Sequence, residues 1–540
     1  MFFESKLEII SSLEKLLKNK NCPLEDVLNE DELLEECTLR KGYLLNYLSK
    51  KQIVKKLLLY LLDESYTENC TNLDQKIKFP FLANSLIKFG FFGICEIISY
   101  EDSLMEIMFN FLDNQAPLNT VYAGYFSNCV QIQFDKRWRD TIMFIDENPE
   151  IIDKLLLHYQ TSSIKDVVIH IINNCENENY KIRTSKVLLS TKIINKLINL
   201  MKNEENNEVH ENIKETFVNI LTSETPNNTI IEELLNENNI EMLFQCITNS
   251  NNSKTRTENT LLILNQILKY MLKNNTTNYQ NSLQKVILKH ISNIVTLFNN
   301  ESNKKSILLS FGKLSQPIGK IRLTIIQFFH LTYLNYHQFI EKIYCELEIM
   351  GKIIDLFLIN QWNSSLHHLV KDMIVDILEG KSNSLINDLL VNNQLINKIT
   401  EICLQYSPKN KNAKSERGNS SHLLTIANKL GEVASKNEVI NQQLSKNKHW
   451  ANFFENVLQK TIQIQSRILG KENNLFTSQI IDNYELEKIK KNDLDANKKI
   501  DQLSNVQNIN KYYQKFISKN NNNENKLSFY KDNTKLKKNN

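Results

Sequence analysis

Apolar side chains recur along most of this chain with the three- and four-residue spacing of a helix that has one buried face. In 53–62, apolar residues stand at positions 53, 54, 57, 58, 61 and 62. The same spacing returns in 164–172, 193–198, 261–272 and 353–357. Such spacing indicates amphipathic helices, and strictly alternating runs between turn residues are missing. We therefore predict an all-α protein.

Proline positions fit this prediction, with helices of roughly 10 to 18 residues joined by short polar loops as far as about residue 465. Asn148, Pro149 and Glu150 indicate a helix start at which Asn148 is the N-cap and Pro149 the first helical residue. The chain has seven prolines. We expect the others, Pro80 among them, in loops or at helix starts, because an interior proline removes a backbone donor.

The length of the helical region favours stacked repeats over a single bundle. The chain has 540 residues, whereas one hydrophobic core stops growing at about 250 to 300 residues. Helices that stack in series need to cover only their neighbours. No strict sequence period is visible, so helix spacing and length alone support the prediction. We predict that 1–465 forms an armadillo/HEAT-like helical repeat solenoid.

Asn-rich tracts interrupt the helical pattern at 202–212, 248–260 and 273–281. Polar tracts of this kind bury too little apolar surface to order themselves, so we predict mobile loop insertions. From about residue 466 the chain becomes rich in Lys and Asn. We predict that 466–540 is a low-complexity, largely disordered C-terminal tail; binding of an acidic partner by its lysines is the alternative.

Composition and charge exclude several classes of function. With 65 basic and 62 acidic residues the net charge is +3, which makes no case for binding to nucleic acid or to a membrane surface.

No stretch approaches the roughly 20 apolar residues of a membrane span, and the start MFFESKLEII lacks the pattern of a secretory signal. The nine cysteines include no C-x-x-C pair, which favours buried thiols in a reducing compartment. We expect a cytoplasmic protein, with the nucleus as an additional location.

Motifs that carry chemistry are absent. The GKS at 380–382 is not a P-loop, because position 375 is Val and helix-like sequence precedes it. His330, His337, His367 and His368 lack the H-E-x-x-H spacing and supporting carboxylate of a metal site. None of the eleven glycines precedes Asp, and the one Gly-Asn precedes Ser, so the metal-binding turns of serine/threonine phosphatases are missing. We predict no catalytic, cofactor-binding or metal-binding residue, and no enzyme.

One aromatic-rich stretch stands out, FLDNQAPLNTVYAGYFSNCV at 111–130. It resembles the diagnostic segment of the SAPS family, regulatory subunits that associate with the catalytic subunit of protein phosphatase 6 and its fungal equivalent. The matching residues are Phe111, Leu112, Asp113, Pro117, Leu118, Asn119, Phe126 and Ser127. Further similar blocks follow the family's order at 24–37, 76–87, 158–168, 316–329, 347–370 and 418–430.

The chain also departs from the family pattern. Ala116 stands where the family usually has a second proline, and the family's long acidic C-terminal region has no counterpart here. Within the aromatic-rich stretch we expect the large apolar side chains to anchor a loop by burial. Asp113 and Asn119, beside Pro117, are suited to cap the following helix. The stretch is then either a rigid corner between helices or a docking surface.

The resemblance implies a non-catalytic regulatory or scaffold subunit that binds a protein phosphatase 6-type serine/threonine phosphatase catalytic subunit. It further implies control of substrate choice and localisation, including cell-cycle control, with ankyrin-repeat regulatory subunits as third partners. The residues that we predict to bind a partner are Asp113, Asn114, Pro117, Asn119, Ser127, Trp362, Asn363, His367, Asn419, His422 and Asn428.

Two other functions remain open. An armadillo-type adaptor in nuclear transport would share the fold, but it should show a regular ladder of Trp and Asn and a strong acidic bias. Three tryptophans and a charge of +3 argue against it. A helical scaffold unrelated to phosphatases is the broader form of the same alternative. A helical enzyme is disfavoured because no convergent acid, base or metal set is visible.

Overall fold

The structure, a computed structural model, describes residues 11–465 with ten short gaps. The gaps are 20, 71–72, 174–177, 249–252, 275–278, 301–305, 310–311, 315–316, 381 and 406–417. The chain divides into two units, Met1–Lys460 and Thr461–Asn540. The fold below is that of the first, and the last helix, Gln459–Gln465, continues into the second. The predicted tail at 466–540 lies outside the described residues.

Helices account for most of the described residues of the first unit. The first nine are α1 (Ser12–Leu17), α2 (Leu24–Asn29), α3 (Leu33–Thr38), α4 (Gly42–Leu48), α5 (Lys51–Leu62), α6 (Leu73–Lys88), α7 (Phe92–Tyr100), α8 (Asp102–Phe109) and α9 (Thr120–Glu147). The next nine are α10 (Glu150–Leu157), α11 (Ser162–Asn173), α12 (Glu178–Ser190), α13 (Ile193–Asn203), α14 (Asn207–Thr222), α15 (Asn228–Leu234), α16 (Glu237–Thr248), α17 (Lys254–Asn274) and α18 (Gln280–Asn300). The last nine are α19 (Gly319–Glu346), α20 (Ile349–Ile359), α21 (Ser364–Glu379), α22 (Asn383–Asn387), α23 (Leu395–Gln405), α24 (Ser420–Ala434), α25 (Glu438–Lys446), α26 (Trp450–Phe453) and α27 (Gln459–Gln465).

Short elements complete the fold. Two 3-10 helices span Glu64–Asn69 and Asn110–Asp113, and two π-helical turns span Asp388–Asn392 and Phe454–Leu458. Strands β1 (Ile307–Leu309) and β2 (Gly312–Leu314) form an antiparallel pair in which Ile307 lies opposite Leu314. Among the described residues this small ladder is the only β-structure, and the all-α prediction is confirmed.

Helices three apart along the chain pack on one another in the middle of the unit. α12 packs on α15, α13 on α16, and α14 on α17. Side-chain bonds recur at the corresponding interval: Ser185 Oγ donates to Asn227 Oδ1 at 2.9 Å, 42 positions away. Asn195 Nδ2 donates to Asn239 Oδ1 at 3.3 Å, 44 positions away. A three-helix repeat of armadillo type follows, which confirms the predicted repeat fold.

One row of helices runs through the described part of the unit. α9, α11, α14, α17, α19, α21 and α24 each pack on the next. The buried apolar side chains form one continuous core along this row and its flanking helices. This arrangement explains how so long a chain stays packed, since each layer buries its apolar face against its neighbours.

Two of the three Asn-rich tracts contain more helix than predicted. In 202–212, α13 extends to Asn203 and α14 begins at Asn207. Asn206 Oδ1 accepts a bond from Glu208 N at 2.9 Å and caps α14, and buried Asn212 donates to Tyr159 O at 2.8 Å. In 248–260, α17 begins at Lys254. The loop prediction is wrong at these helical positions. In 202–212 Asn serves as a helix cap and as an interlayer donor, and in 248–260 Ser253 Oγ accepts a bond from Arg256 N at 3.1 Å.

The remaining predicted insertions lie partly outside the described residues. In the tract at 248–260, positions 249–252 are not described, and in the tract at 273–281, positions 275–278 are not described. Helix α17 continues to Asn274 on one side of the second gap, and α18 begins at Gln280 on the other.

Two proline predictions are also corrected. Pro80 is buried inside α6 rather than at a helix start or in a loop, so position 80 gives no helical donor to the carbonyl of residue 76. Asn148 is not the N-cap of α10, which begins at Glu150 after Pro149. Asn148 directly follows the last residue of α9. Its Nδ2 therefore donates to Phe144 O in that helix, at 2.9 Å, and does not cap α10.

The described helices carry free thiols and include no single helix that could span a membrane. Eight cysteines in the described ranges are free thiols, and six of them are buried. No single described helix is both long and apolar enough to cross a membrane, although the pair Asp74–Lys88 and Phe92–Tyr100, bent by 96°, meets the length and composition test together.

Candidate functional site

The segment 110–119 joins α8 to α9, and we call it the N-terminal corner. Phe111 and Leu112 are buried, and the Phe111 ring stacks on Phe126 with centroids 5.0 Å apart. His158, fully buried, forms a hydrogen bond through Nε2 with Leu112 O at 2.9 Å. The predicted anchoring by burial is confirmed for these side chains, so the backbone of the corner is held in place by the core.

Polar groups of the N-terminal corner face outward from this anchored backbone. Asn119 Oδ1 accepts a bond from Val121 N at 3.0 Å and caps α9, as predicted. Its Nδ2 donates to the carboxylate of Glu64 at 3.2 and 3.3 Å. Asp113 is 52% exposed and pairs with Lys154 Nζ at 2.7 Å. The backbone of the corner is thus fixed by apolar contacts with the core, and its amides and carboxylates lie on the outer side.

Asn114 and Pro117 complete the exposed part of the corner. Asn114 Nδ2 donates to Phe111 O at 2.9 Å, which closes the 3-10 helix Asn110–Asp113. The Ala116–Pro117 peptide bond is cis, and Pro117 is exposed.

Two adjoining hollows, of about 270 and 320 Å³, open beside the N-terminal corner. They share Leu62, Phe111 and Asn114, and we call the pair the corner groove. Asp63 lines the first hollow and Glu64 the second. An apolar floor with acidic and amide groups at its rim fits an apolar side chain that has a positive charge or an N–H donor beside it.

Further residues line the second hollow. These are Gln115, Pro117, Leu118, Asn119 and Tyr122. Burial raises the pKa of Tyr122, so its phenol stays a neutral hydrogen-bonding group at neutral pH. Three of the predicted residues, Asn114, Pro117 and Asn119, therefore line one groove.

Ser127 does not belong to this surface. Its side chain is 5% exposed within α9, and its Oγ accepts a bond from Gln131 Nε2 at 2.9 Å. We therefore no longer expect direct contact between Ser127 and a partner.

The second group of predicted residues meets at what we call the C-terminal corner, formed by 360–368 and 418–422. Trp362 is 51% exposed. Asn363 Oδ1 accepts a bond from Leu366 N at 3.0 Å and caps α21. A Cβ at Gly418 would lie 2.7 Å from Trp362 Cε3 and 2.6 Å from Gln361 O, so glycine is required where the two segments touch.

Two predicted residues of the C-terminal corner are buried. His367 is 1% exposed, forms a hydrogen bond through Nε2 with Asn360 O at 2.7 Å, and lies edge-on to Phe357 at 5.3 Å. Asn419 is fully buried, and its Nδ2 donates to Phe357 O at 3.1 Å. Both side chains hold the two segments together, so neither is accessible to a partner.

A histidine cluster adjoins these buried groups. The His422 ring lies 5.4 Å from that of His367 and 4.6 Å from that of His368. Burial lowers the pKa of His367 and of His422, and the neighbouring His368 lowers both further. Within the described ranges no group of His, Cys, Asp and Glu is arranged to hold a metal ion.

Asn428 stands apart from the histidine cluster. It is half-buried on α24, and its Nδ2 donates to Glu432 Oε1 at 2.7 Å. The predicted residues are therefore brought together in two places, 110–119 and 360–422, with Ser127 buried and Asn428 at a distance along its helix.

Sequence reasoning missed Leu62, Glu64 and Lys154, which complete the N-terminal corner. Glu64 is 55 positions from its partner Asn119, and Lys154 comes from α10. No local pattern marks any of the three, since each joins the corner only through the packing of neighbouring helices.

A comparison with protein-family models gives a match to SAPS, described as SIT4 phosphatase-associated protein, over residues 130–332 and 339–467. The matched residues are more than half of the chain. They include the C-terminal corner, whereas the N-terminal corner precedes them, so the resemblance of 111–127 to a diagnostic family segment stays a prediction.

Several curated relatives are named as regulatory subunits of protein phosphatase 6. The chain is 23% identical over 490 residues to serine/threonine-protein phosphatase 6 regulatory subunit 3 of Gallus gallus, covering 83% of this chain and 56% of the relative. It is 23% identical over 407 residues to regulatory subunit 2 of Mus musculus, covering 70% and 43%. It is 26% identical over 262 residues to extragenic suppressor of kinetochore protein 1 of Schizosaccharomyces pombe, covering 46% and 31%. The chain thus spans less than two thirds of the length of each relative.

Proposed function

The chain belongs to the SAPS family, and on that premise we propose that it is a regulatory subunit of a protein phosphatase 6-type serine/threonine phosphatase. The observation that carries the proposal is the family match over 130–332 and 339–467, together with relatives named as regulatory subunits of that phosphatase. In this proposal the chain binds the catalytic subunit and supplies no catalytic group of its own. It acts by placing the partner's active site near particular substrates.

Several finer parts of the proposal come from the family resemblance alone. They are control of localisation, a role in the cell cycle, ankyrin-repeat third partners, and residence in the cytoplasm and nucleus. Each would follow from a scaffold that joins an enzyme to other proteins, because a repeat array exposes a long surface on which several partners fit.

We place the main contact with the catalytic subunit at the corner groove. Its floor, Leu62 and Phe111, is apolar, and its exposed rim carries Glu64, Asn114 and Asn119. Buried anchors already fix the corner backbone, so binding orders few additional groups and loses little conformational entropy. The groove therefore suits an apolar side chain of the catalytic subunit flanked by Lys or Arg.

Trp362 is the proposed contact at the C-terminal corner. Its ring is half-exposed beside a glycine that no larger residue could replace, and tryptophan is enriched among the residues that dominate binding energy. Asn363, next to it in sequence, and His422, beside His367 and His368, are half-buried. His367 and Asn419 have structural roles here and are left out of the proposed contact.

Affinity purification of the tagged full chain, with mass spectrometry and phosphatase immunoblotting, tests the function. We expect the wild-type chain to recover a protein phosphatase 6-type catalytic subunit. Recovery of nuclear-transport cargo with no phosphatase would overturn the proposed function and favour the adaptor alternative.

A double substitution that adds positive charge to the rim tests the corner groove separately. Glu64→Arg with Asn114→Arg should lower recovery of the catalytic subunit at least about tenfold, because each rim group then repels a flanking cation. The matched control is Glu224→Arg with Asn219→Arg, an exposed acid and amide in and beside α14. If the wild type recovers phosphatase and the groove variant does so equally well, the contact lies elsewhere while the function stands.

A further inference from the structure

Helix α12 is a rigid platform at the side of α9. Trp138 Nε1 donates to Thr184 Oγ1 at 3.0 Å, and the Trp138 ring stacks on Tyr180 with centroids 4.0 Å apart. The residue after Thr184, Ser185, donates through Oγ to Asn227 Oδ1 at 2.9 Å. Buried side chains thus fix α12 from two neighbouring helices, so residues on its outer face project from a preformed backbone.

A groove of about 610 Å³ runs along the outer face of α12 next to the end of α9, and we call it the α12 groove. Its cations are Arg183 and Lys186, which are three positions apart and so lie on the same side of the helix. Ile182, 52% exposed, and Val187 supply apolar surface. Asp146 is the carboxylate among the lining residues.

The two cations of the α12 groove differ from most lysines that face neighbouring helices. Lys154, for example, pairs with Asp113 at 2.7 Å, and Lys196 pairs with Asp153 at 2.6 Å. Within the described residues neither Arg183 nor Lys186 forms an ion pair, although Asp146 lines the same groove. The groove therefore has a surplus of positive charge beside exposed apolar surface.

We propose that the α12 groove binds an acidic peptide segment of a partner protein, with an aliphatic side chain among its carboxylates. Arg183 and Lys186 would pair with two carboxylates of the peptide, and Ile182 would cover its aliphatic side chain. The preformed helix lowers the entropic cost of binding. This surface shares no lining residue with the corner groove and has the opposite charge, so the proposal does not rest on the proposed function.

The test is binding of a synthetic peptide array to the purified full chain. The array holds eight-residue peptides with zero to five Asp or Glu, with Leu or Ser at the central position, and with phosphoserine in one set. We expect at least about tenfold stronger binding of the acidic peptides that contain Leu than of the neutral ones. Arg183→Glu with Lys186→Glu should abolish this preference, and Ile182→Ser should remove the advantage of Leu over Ser.

The matched control reverses two cations of α17, Lys269→Glu with Lys273→Glu, which are exposed and close together on their helix. This variant should bind the acidic peptides as the wild type does. Equal loss in the control would show non-specific attraction and overturn the proposal. Binding of phosphoserine peptides alone, or no preference for acidic peptides, would overturn it as well. Circular dichroism of each variant verifies that the chain is folded.

Discussion

The N-terminal and C-terminal corners are built from the same kinds of residue and use them differently. Each has an Asn that caps the next helix of the row: Asn119 accepts from Val121 N and Asn363 from Leu366 N, both at 3.0 Å. In the N-terminal corner the remaining polar groups lie around an open groove. In the C-terminal corner His367 and Asn419 are buried between two segments.

The difference shows that residue type does not separate a docking group from a structural one. An exposed amide costs the fold little and is free to meet a partner, whereas a buried amide without its partner costs about 1–3 kcal/mol. Burial at the two corners therefore predicts opposite responses to mutation. Substitutions in the N-terminal corner rim should weaken binding, and those at His367 or Asn419 should weaken the fold.

The largest expected effect compares a buried α9 aromatic that anchors the N-terminal corner with an exposed aromatic of the C-terminal corner. Phe126→Ala removes a fully buried ring that stacks on Phe111, and it should lower the free energy of unfolding by about 3–5 kcal/mol. Trp362→Ala removes an exposed ring and should cost less than about 1 kcal/mol. Urea unfolding followed by circular dichroism measures both. Similar losses would mean that burial does not distinguish the corners.

The next effect concerns the buried histidine. His367→Ala leaves Asn360 O without its side-chain donor in a buried position, so we expect a loss of about 1–3 kcal/mol in the free energy of unfolding. Asn114→Ala is the counterpart in the N-terminal corner, where the amide is exposed, and should cost about 0.5 kcal/mol. A larger loss for Asn114→Ala than for His367→Ala would reverse the assignment of roles.

The sequence predicts helices, their stacking, and the apolar anchors of the N-terminal corner, because these depend on spacing and hydrophobicity. It does not predict that Glu64 meets Asn119, or that His422 lies beside His367, because helices distant in sequence bring them together. The repeat period is not visible in the sequence for the same reason. Residues that bridge successive layers, such as Asn195 and Asn239, are recognised as equivalent once the helices are packed. Trp362 is exposed and Asn419 is buried, and this difference arises from the packing of the folded layers.

A third comparison uses the two capping residues. Asn119→Ala and Asn363→Ala each remove one N-cap bond, and each should cost about 1 kcal/mol of stability. Asn119→Ala should also reduce co-purification of the phosphatase, since its amide lines the corner groove. Asn119→Ser, which keeps a capping oxygen, should restore stability but not full binding. If Asn119→Ala recovers as much phosphatase as the wild type does, Asn119 lies outside the interface.

The smallest expected effect is a pH dependence that belongs to the C-terminal corner. Burial lowers the pKa of His367 and His422 below the ordinary value of 6.5. Below pH 6.5 the unfolded chain takes up protons that the folded chain does not, so stability is greatest above that pH and falls as the pH decreases towards the folded pKa values. Thermal unfolding at pH 7.5 and 5.5 should therefore give a lower Tm at pH 5.5.

His422→Gln should reduce this difference in Tm, whereas His449→Gln, at an exposed position outside the cluster, should leave it unchanged. A part of the dependence should persist in His422→Gln, because burial also lowers the pKa of His210. If His422→Gln and the wild type lose the same Tm on acidification, His422 does not couple the C-terminal corner to pH. The stability of the corner would then depend on interactions that do not titrate, such as the Asn419 hydrogen bond and apolar packing.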